Sequence, residues 1–151
     1  MTRIFVDADA CPVRAEAERV ATRHRIPLVV VSNGGIRPSQ NPLVETVIVS
    51  AGADEADKWI ADACGPADVV ITADIPLAAR CVEQGARVLR HNGEAFNEKN
   101  IGQQLAMRDL MADMRAANPL GQGGGGKPFT KADRSRFLDA LEREVRAAHR
   151  T

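Results

Sequence analysis

Arg3-Ile4-Phe5-Val6-Asp7-Ala8-Asp9-Ala10-Cys11-Pro12-Val13 joins an apolar run to two carboxylates and a proline, and each part constrains the next. Ile4, Phe5 and Val6 are β-branched or aromatic and are bounded at once by acid, which predicts a short buried strand. Asp7 and Asp9 are spaced i, i+2, so in extended chain both carboxylates face one side beyond the strand end. Pro12 suits the first turn of a helix, where its missing N–H is no loss. Asp9 alone reads equally well as an N-cap or turn former. Asp7 closes an apolar strand and therefore needs hydrogen bonds, a cation or water. In open α/β sheets the carboxyl edge of the strands is where ligands sit.

Moving outward, residues 12–24 place Val13, Ala17, Val20 and Ala21 on one helical face. Leu28–Val31 is a continuous apolar run, the pattern of a strand covered on both sides, and it ends in Ser32-Asn33-Gly34-Gly35. Residues 34–42 are turn-rich and predict a loop. Thr46–Val49 predicts a third strand. Ala56, Trp59, Ile60, Ala63 and Cys64 share one helical face, with Asp54 as N-cap and Glu55 in a first turn that favours acids. Asp57 falls at the flank of that stripe, nearer the sheet, and is the stronger functional candidate. Asp68–Thr72 is a fourth strand. Asp74 follows it and precedes a helix with Pro76 in its first turn, repeating the arrangement at Asp9 and Pro12. Gly85 ends that helix and Ala86–Leu89 gives a fifth strand.

Five strand–helix alternations predict a three-layer, doubly wound α/β fold with a mostly parallel five-stranded sheet. In an order such as 3-2-1-4-5, strands 1 and 4 are neighbours at the switch point, and Asp7, Asp9 and Asp74 surround one crevice.

Beyond the sheet, Asn97 caps a long helix reaching about Ala117. Its apolar positions are Ile101, Leu105, Met107, Leu110, Met111 and Met114, and the methionines read as core fillers. Residues 118–129 form a Gly-rich flexible loop within a single domain of residues 1–151. Gly121–Lys127 matches G-x-x-x-x-G-K, but Pro128 stands where a phosphate loop needs Ser or Thr, and a helix rather than a strand precedes it. That reading is rejected. A hinge carrying Lys127 to a substrate and a plain linker both remain open. Thr130 caps a last helix, with Asp133 reaching back, and Phe137, Leu138, Leu141, Val145 and Ala148 form its buried face.

The chain of 151 residues has zero net charge, unevenly distributed. Residues 1–75 carry 7 Lys/Arg and 11 Asp/Glu, against 13 and 9 in residues 76–151. The basic half can hold a polyanion against the acidic motifs, or it can simply be solvated. Cys11, Cys64 and Cys81 are odd in number and far apart, which argues against a disulfide framework or a zinc ribbon. With no membrane-length apolar stretch and no signal-peptide pattern, the expectation is a cytoplasmic protein without a membrane partner.

Asp7, Asp9, Asp57 and Asp74 are hard oxygen donors suited to Mg²⁺ or Mn²⁺. Crowded carboxylates raise one another's pKa unless a cation neutralises them. Such an ion activates water and clamps a phosphoryl oxygen.

The segments F-V-D-A-D-A-C-P-V, V-V-V-V-S-N, G-A-D-E-A-D-K-W-I, V-I-T-A-D-I-P-L-A and F-T-K-A-D-R-S-R-F resemble the bacterial YaiI/YqxD family of uncharacterised proteins over almost the whole chain. That family is similar to PIN-like domains, which are metal-dependent ribonucleases. The resemblance implies a PIN-like fold, RNA as partner and phosphodiester hydrolysis by Asp7, Asp9, Asp57 and Asp74. Asp7, Asp57 and Asp74 would be the Mg²⁺ or Mn²⁺ ligands, with Asp9 supporting. Ser32, Asn33, Lys58, Arg80, Lys127 and Arg134 are the candidate substrate contacts, and a homodimer is left open. Two other readings compete. D-A-D-A, V-V-V-V-S-N and Lys58 resemble parts of haloacid-dehalogenase-like phosphatases, although the spacing is short. A degenerate acidic site could also bind metal or RNA without turnover.

Overall fold

A computed structural model describes residues 2–8, 13–34, 37–50, 54–117 and 129–149. The expectations for Asp9, Pro12, Lys127 and residues 118–128 lie outside them.

β1 (Ile4–Asp7) occupies the interior of the sheet, hydrogen-bonded to β2 (Leu28–Ser32) on one side and β4 (Val69–Ile71) on the other, both parallel. Covered on both faces, Ile4, Phe5 and Val6 are fully buried, each side chain contributing roughly 1.5–3 kcal/mol. β3 (Val44–Ile48) extends the sheet beyond β2, and β5 (Arg87–Leu89) extends it beyond β4. The observed order, β3-β2-β1-β4-β5-β6, is the expected doubly wound arrangement with one strand added. That sixth strand, β6 (Ala95–Phe96), pairs antiparallel with β5. Two residues are too few to show an alternating pattern, so the expected five strands become six.

Side-chain alternation divides the core in two. Ile4, Val6, Leu28, Val30, Ile71 and Leu89 face α1 (Arg14–His24) and α5 (Lys131–His149). Phe5, Val29, Val31, Val70 and Val88 face α2 (Glu55–Ala63) and α3 (Ile75–Glu83), where the Phe5 and Trp59 rings lie 6.1 Å apart. Glu142 binds α5 to α1, accepting from Arg23 at 2.9 Å and pairing with His24 at 2.6 Å. At the amino ends of β1 and β4, Arg3 donates its backbone N–H and guanidinium to buried Asp68, securing the start of β4.

Local capping follows the sequence in α3 and α5. Pro76 lies in the first turn of α3, and Gly85, at φ +85°, follows its C-terminus. Thr130 and Asp133 form the reciprocal cap of α5. Asn97 accepts from the Lys99 and Asn100 amides in the turn before α4 (Ile101–Ala117). The methionines of α4 depart from expectation: Met107, Met111 and Met114 are about half exposed rather than core fillers. A periodic apolar stripe says that a face is apolar, not that something covers it.

Candidate functional site

The parallel strands all end at one rim, so Asp7, Ser32 and the residues after Ile71 come together there with the N-termini of α2 and α3. Asp7, two residues after Phe5, shares its face of the sheet, toward α2 and α3. It is only 4% exposed. The Thr72 hydroxyl, buried at the end of β4, donates to Asp7 Oδ2 at 3.1 Å and accepts the Asp74 backbone N–H at 3.0 Å. One hydroxyl thus links the ends of β1 and β4 to the start of α3.

Asp74 is the N-cap of α3, its Oδ1 accepting from the Leu77 N–H at 2.9 Å. Asp74 therefore caps α3, and its negative charge also reaches the Asp57 side chain on α2. The Asp57 carboxyl is correspondingly pushed up to about 6, first by burial and then by the negative charges of Asp74 and Asp7. Asp7, Asp57 and Asp74, brought from three elements, sense one another as a single electrostatic group.

Asp54 adds a weaker contribution in the same direction. It stands at the N-cap position of α2, but its side chain makes no capping hydrogen bond, and its backbone is left-handed at φ 69°. The sequence expectation of an Asp54 cap is corrected in that respect. A non-glycine residue there is strained, and the strain leaves the carboxylate free of the helix end.

Oxygen donors are what Mg²⁺ or Mn²⁺ takes, and the raised Asp57 pKa reflects crowded negative charge that a cation would offset. Among the described residues, no three His, Cys, Asp or Glu side chains are grouped tightly enough to hold an ion as they stand. The carboxylates must draw together for three of them to ligate it.

The other candidates are placed elsewhere. Buried Ser32 uses its hydroxyl in a turn, donating to the Gly34 carbonyl and accepting the Gly34 N–H, both at 3.1 Å. Asn33 is exposed beside it. Lys58 is exposed, with its ammonium 3.9 Å from Glu55. Arg80 lies in the last turn of α3, at the end away from Asp74. Arg134 pairs with Glu16 at 2.7 Å and covers the Phe129 ring, binding α5 to α1.

Sequence reasoning missed Thr72, read only as a strand residue, and His91, to which it gives no role. His91 follows β5 and is partly buried, 5.4 Å from the Phe129 ring. Its Nδ1 has no hydrogen-bond partner among the described residues. Burial, then the Arg90 charge, lowers its pKa, so the ring is neutral at pH 7. A histidine one residue past Arg90 at a strand's carboxyl end was the available signal.

Residues 5–147 match the family described as "Uncharacterized BCR, YaiI/YqxD family". A UPF0178 protein of Ruegeria pomeroyi is 81% identical over 150 residues, covering 99% of this chain and 97% of its own. Similar proteins in Roseobacter denitrificans and Parvibaculum lavamentivorans are 70% and 56% identical, covering 98% and 99% of this chain and 97% of each relative. No solved structure matches the chain. The match over nearly the whole length and the level of identity carry one conclusion: this chain belongs to the YaiI/YqxD family.

Proposed function

We propose that the chain is a divalent-metal-dependent nuclease that hydrolyses RNA phosphodiesters at the rim formed by β1, β4, α2 and α3. The observation that carries this reading is the meeting of Asp7 and Asp74 at one rim, both in contact with Thr72, with Asp57 near enough for their charges to raise its pKa. The similarity of the V-I-T-A-D-I-P-L-A segment to PIN-like domains selects RNA.

A bound Mg²⁺ or Mn²⁺ would supply an activated water and charge stabilisation at the phosphoryl group. The protein's own part is orientation. Thr72 fixes the Asp7 carboxylate, and the Leu77 N–H fixes that of Asp74. Asp57, on which the charges of Asp74 and Asp7 act, would join them in holding the ion.

The test incubates protein stripped of metal, then loaded with Mn²⁺, with single-stranded and structured RNAs. Cleavage is expected, and Asp7→Asn should reduce it at least 100-fold. Intact RNA beside an active control ribonuclease overturns the reading. Calorimetric Mn²⁺ binding without cleavage would identify a binding module instead. The phosphatase alternative requires Lys58 at the site, and its solvent-facing position beside Glu55 disfavours it. Lys58→Ala should leave RNA cleavage unchanged.

A further inference from the structure

α4 is apolar on two separate faces. Ile101 and Leu105 are partly buried, Ile101 packing on the α2/α3 side of the core, and the helix lies against α3. Met107, Leu110, Met111 and Met114 recur at i, i+3, i+4 and i+7, and are 52%, 53%, 45% and 56% exposed. At ~100° per residue, the centre of this second stripe lies roughly 150° around the helix from Ile101 and Leu105. It therefore points away from the body of its own chain. These four are four of the five large hydrophobic side chains that stand exposed among the described residues.

We propose that this stripe is a homodimer interface, in which α4 of one copy packs alongside α4 of a second copy. Three observations favour a second copy over other occupants. Flanking charges are opposite in sign on the two sides of the stripe, Arg108 on one and Asp113 on the other. Two copies related by an axis along the helix bring the Arg108 side of each against the Asp113 side of the other, as flanking charges do in parallel two-stranded coils. The chain's net charge is zero, so copies do not repel one another at long range. The polar side of α4 carries Asp109 and Asp113 beside Arg108, unlike the Lys/Arg-rich face with which a helix meets an anionic membrane or a phosphate backbone.

The size of the patch sets the strength. Four side chains exposing ~100 Å² each give ~400 Å² per copy and ~800 Å² for the pair, before flanking residues are added. Stable complexes bury roughly 1,200–2,000 Å². The stripe alone falls short of that range, which fits a weak dimer that forms at micromolar concentration and dissociates on dilution. Methionines, flexible and polarisable, tolerate that alternation between covered and exposed states.

Sedimentation of the full chain, from ~1 to ~100 µM, tests the proposal. The mass should rise from 16.2 kDa toward twice that value. Leu110→Glu should hold it at 16.2 kDa throughout, with circular dichroism unchanged because the side chain is half exposed. Arg108→Asp and Asp113→Arg should each weaken the dimer, and the two together should restore it. A wild type that stays monomeric at the highest concentration overturns the proposal, as does a dimer that survives Leu110→Glu. A dimer that neither charge reversal affects overturns the parallel side-by-side arrangement.

Discussion

Thr72 Oγ1 lies 3.1 Å from Asp7 Oδ2 and donates its proton to it, joining two residues that are 65 positions apart in the chain. The contact exists because β1 and β4 are adjacent parallel strands, with Val6 registered against Ile71. Residues just beyond that pair then fall side by side on the same face. The same oxygen accepts the Asp74 N–H, so one hydroxyl contacts both the Asp7 carboxylate and the start of α3.

Thr72→Val keeps the shape of the side chain and removes both hydrogen bonds. Urea unfolding should show a loss of about 1–3 kcal/mol, and calorimetry should show weakened Mn²⁺ binding. Thr72→Ser, which keeps the hydroxyl, should recover most of both.

Asp57 gives a pH signature whose sign is fixed. Its folded pKa of about 6 exceeds the ordinary 3.8, so the folded state retains a proton that the unfolded chain releases. The resulting stabilisation is fully present below about pH 3.8 and is lost as the pH rises through about 6. In metal-free protein, Asp57→Asn should therefore be more stable than wild type at pH 7. The difference should shrink toward pH 4. Partial solvent exposure reduces it to about 1 kcal/mol, a rise of ~2–4 °C in the thermal midpoint. Equal pH profiles for the two proteins would contradict this.

Asp74 combines two roles that substitution can separate. Asn caps helices as well as Asp does, so Asp74→Asn should preserve the unfolding midpoint while weakening Mn²⁺ binding. Asp74→Ala should do both kinds of damage, costing about 1 kcal/mol in stability. Chemical unfolding run beside metal titration distinguishes them.

Gly93 closes the turn between β5 and β6 at φ +93°, and a Cβ there would stand 2.9 Å from the backbone oxygen of Arg136. The obstacle is helix backbone in α5, which cannot swing aside. Gly93→Ala should cost about 1–3 kcal/mol in urea unfolding, with protease cleavage appearing first around β6.

The legible parts of the chain were those where one short window contains the whole signal. Ile4–Val6 and Leu28–Val31 announce buried strands because every residue is apolar, and strand order followed from the alternation of elements. Asp57 was correctly set at the flank of its helix by periodicity alone. β6 escaped notice because two residues carry no period. Asp54 was misread because capping preference describes the usual N-cap, whereas its backbone is left-handed here. Thr72 could not be singled out locally, since its partner lies on another strand. For Met107, Met111 and Met114, the pattern was read correctly and its environment was not.

The position of β1 has a consequence for the nascent chain. β1, an inner strand of the finished sheet, is synthesised before both of its neighbours, and β2 can pair with it soon afterwards. Its other neighbour is synthesised much later, Val69 being the partner of Ile4. Until then the growing polypeptide exposes an unpaired, largely apolar edge of the kind that chaperones shield and that aggregation exploits.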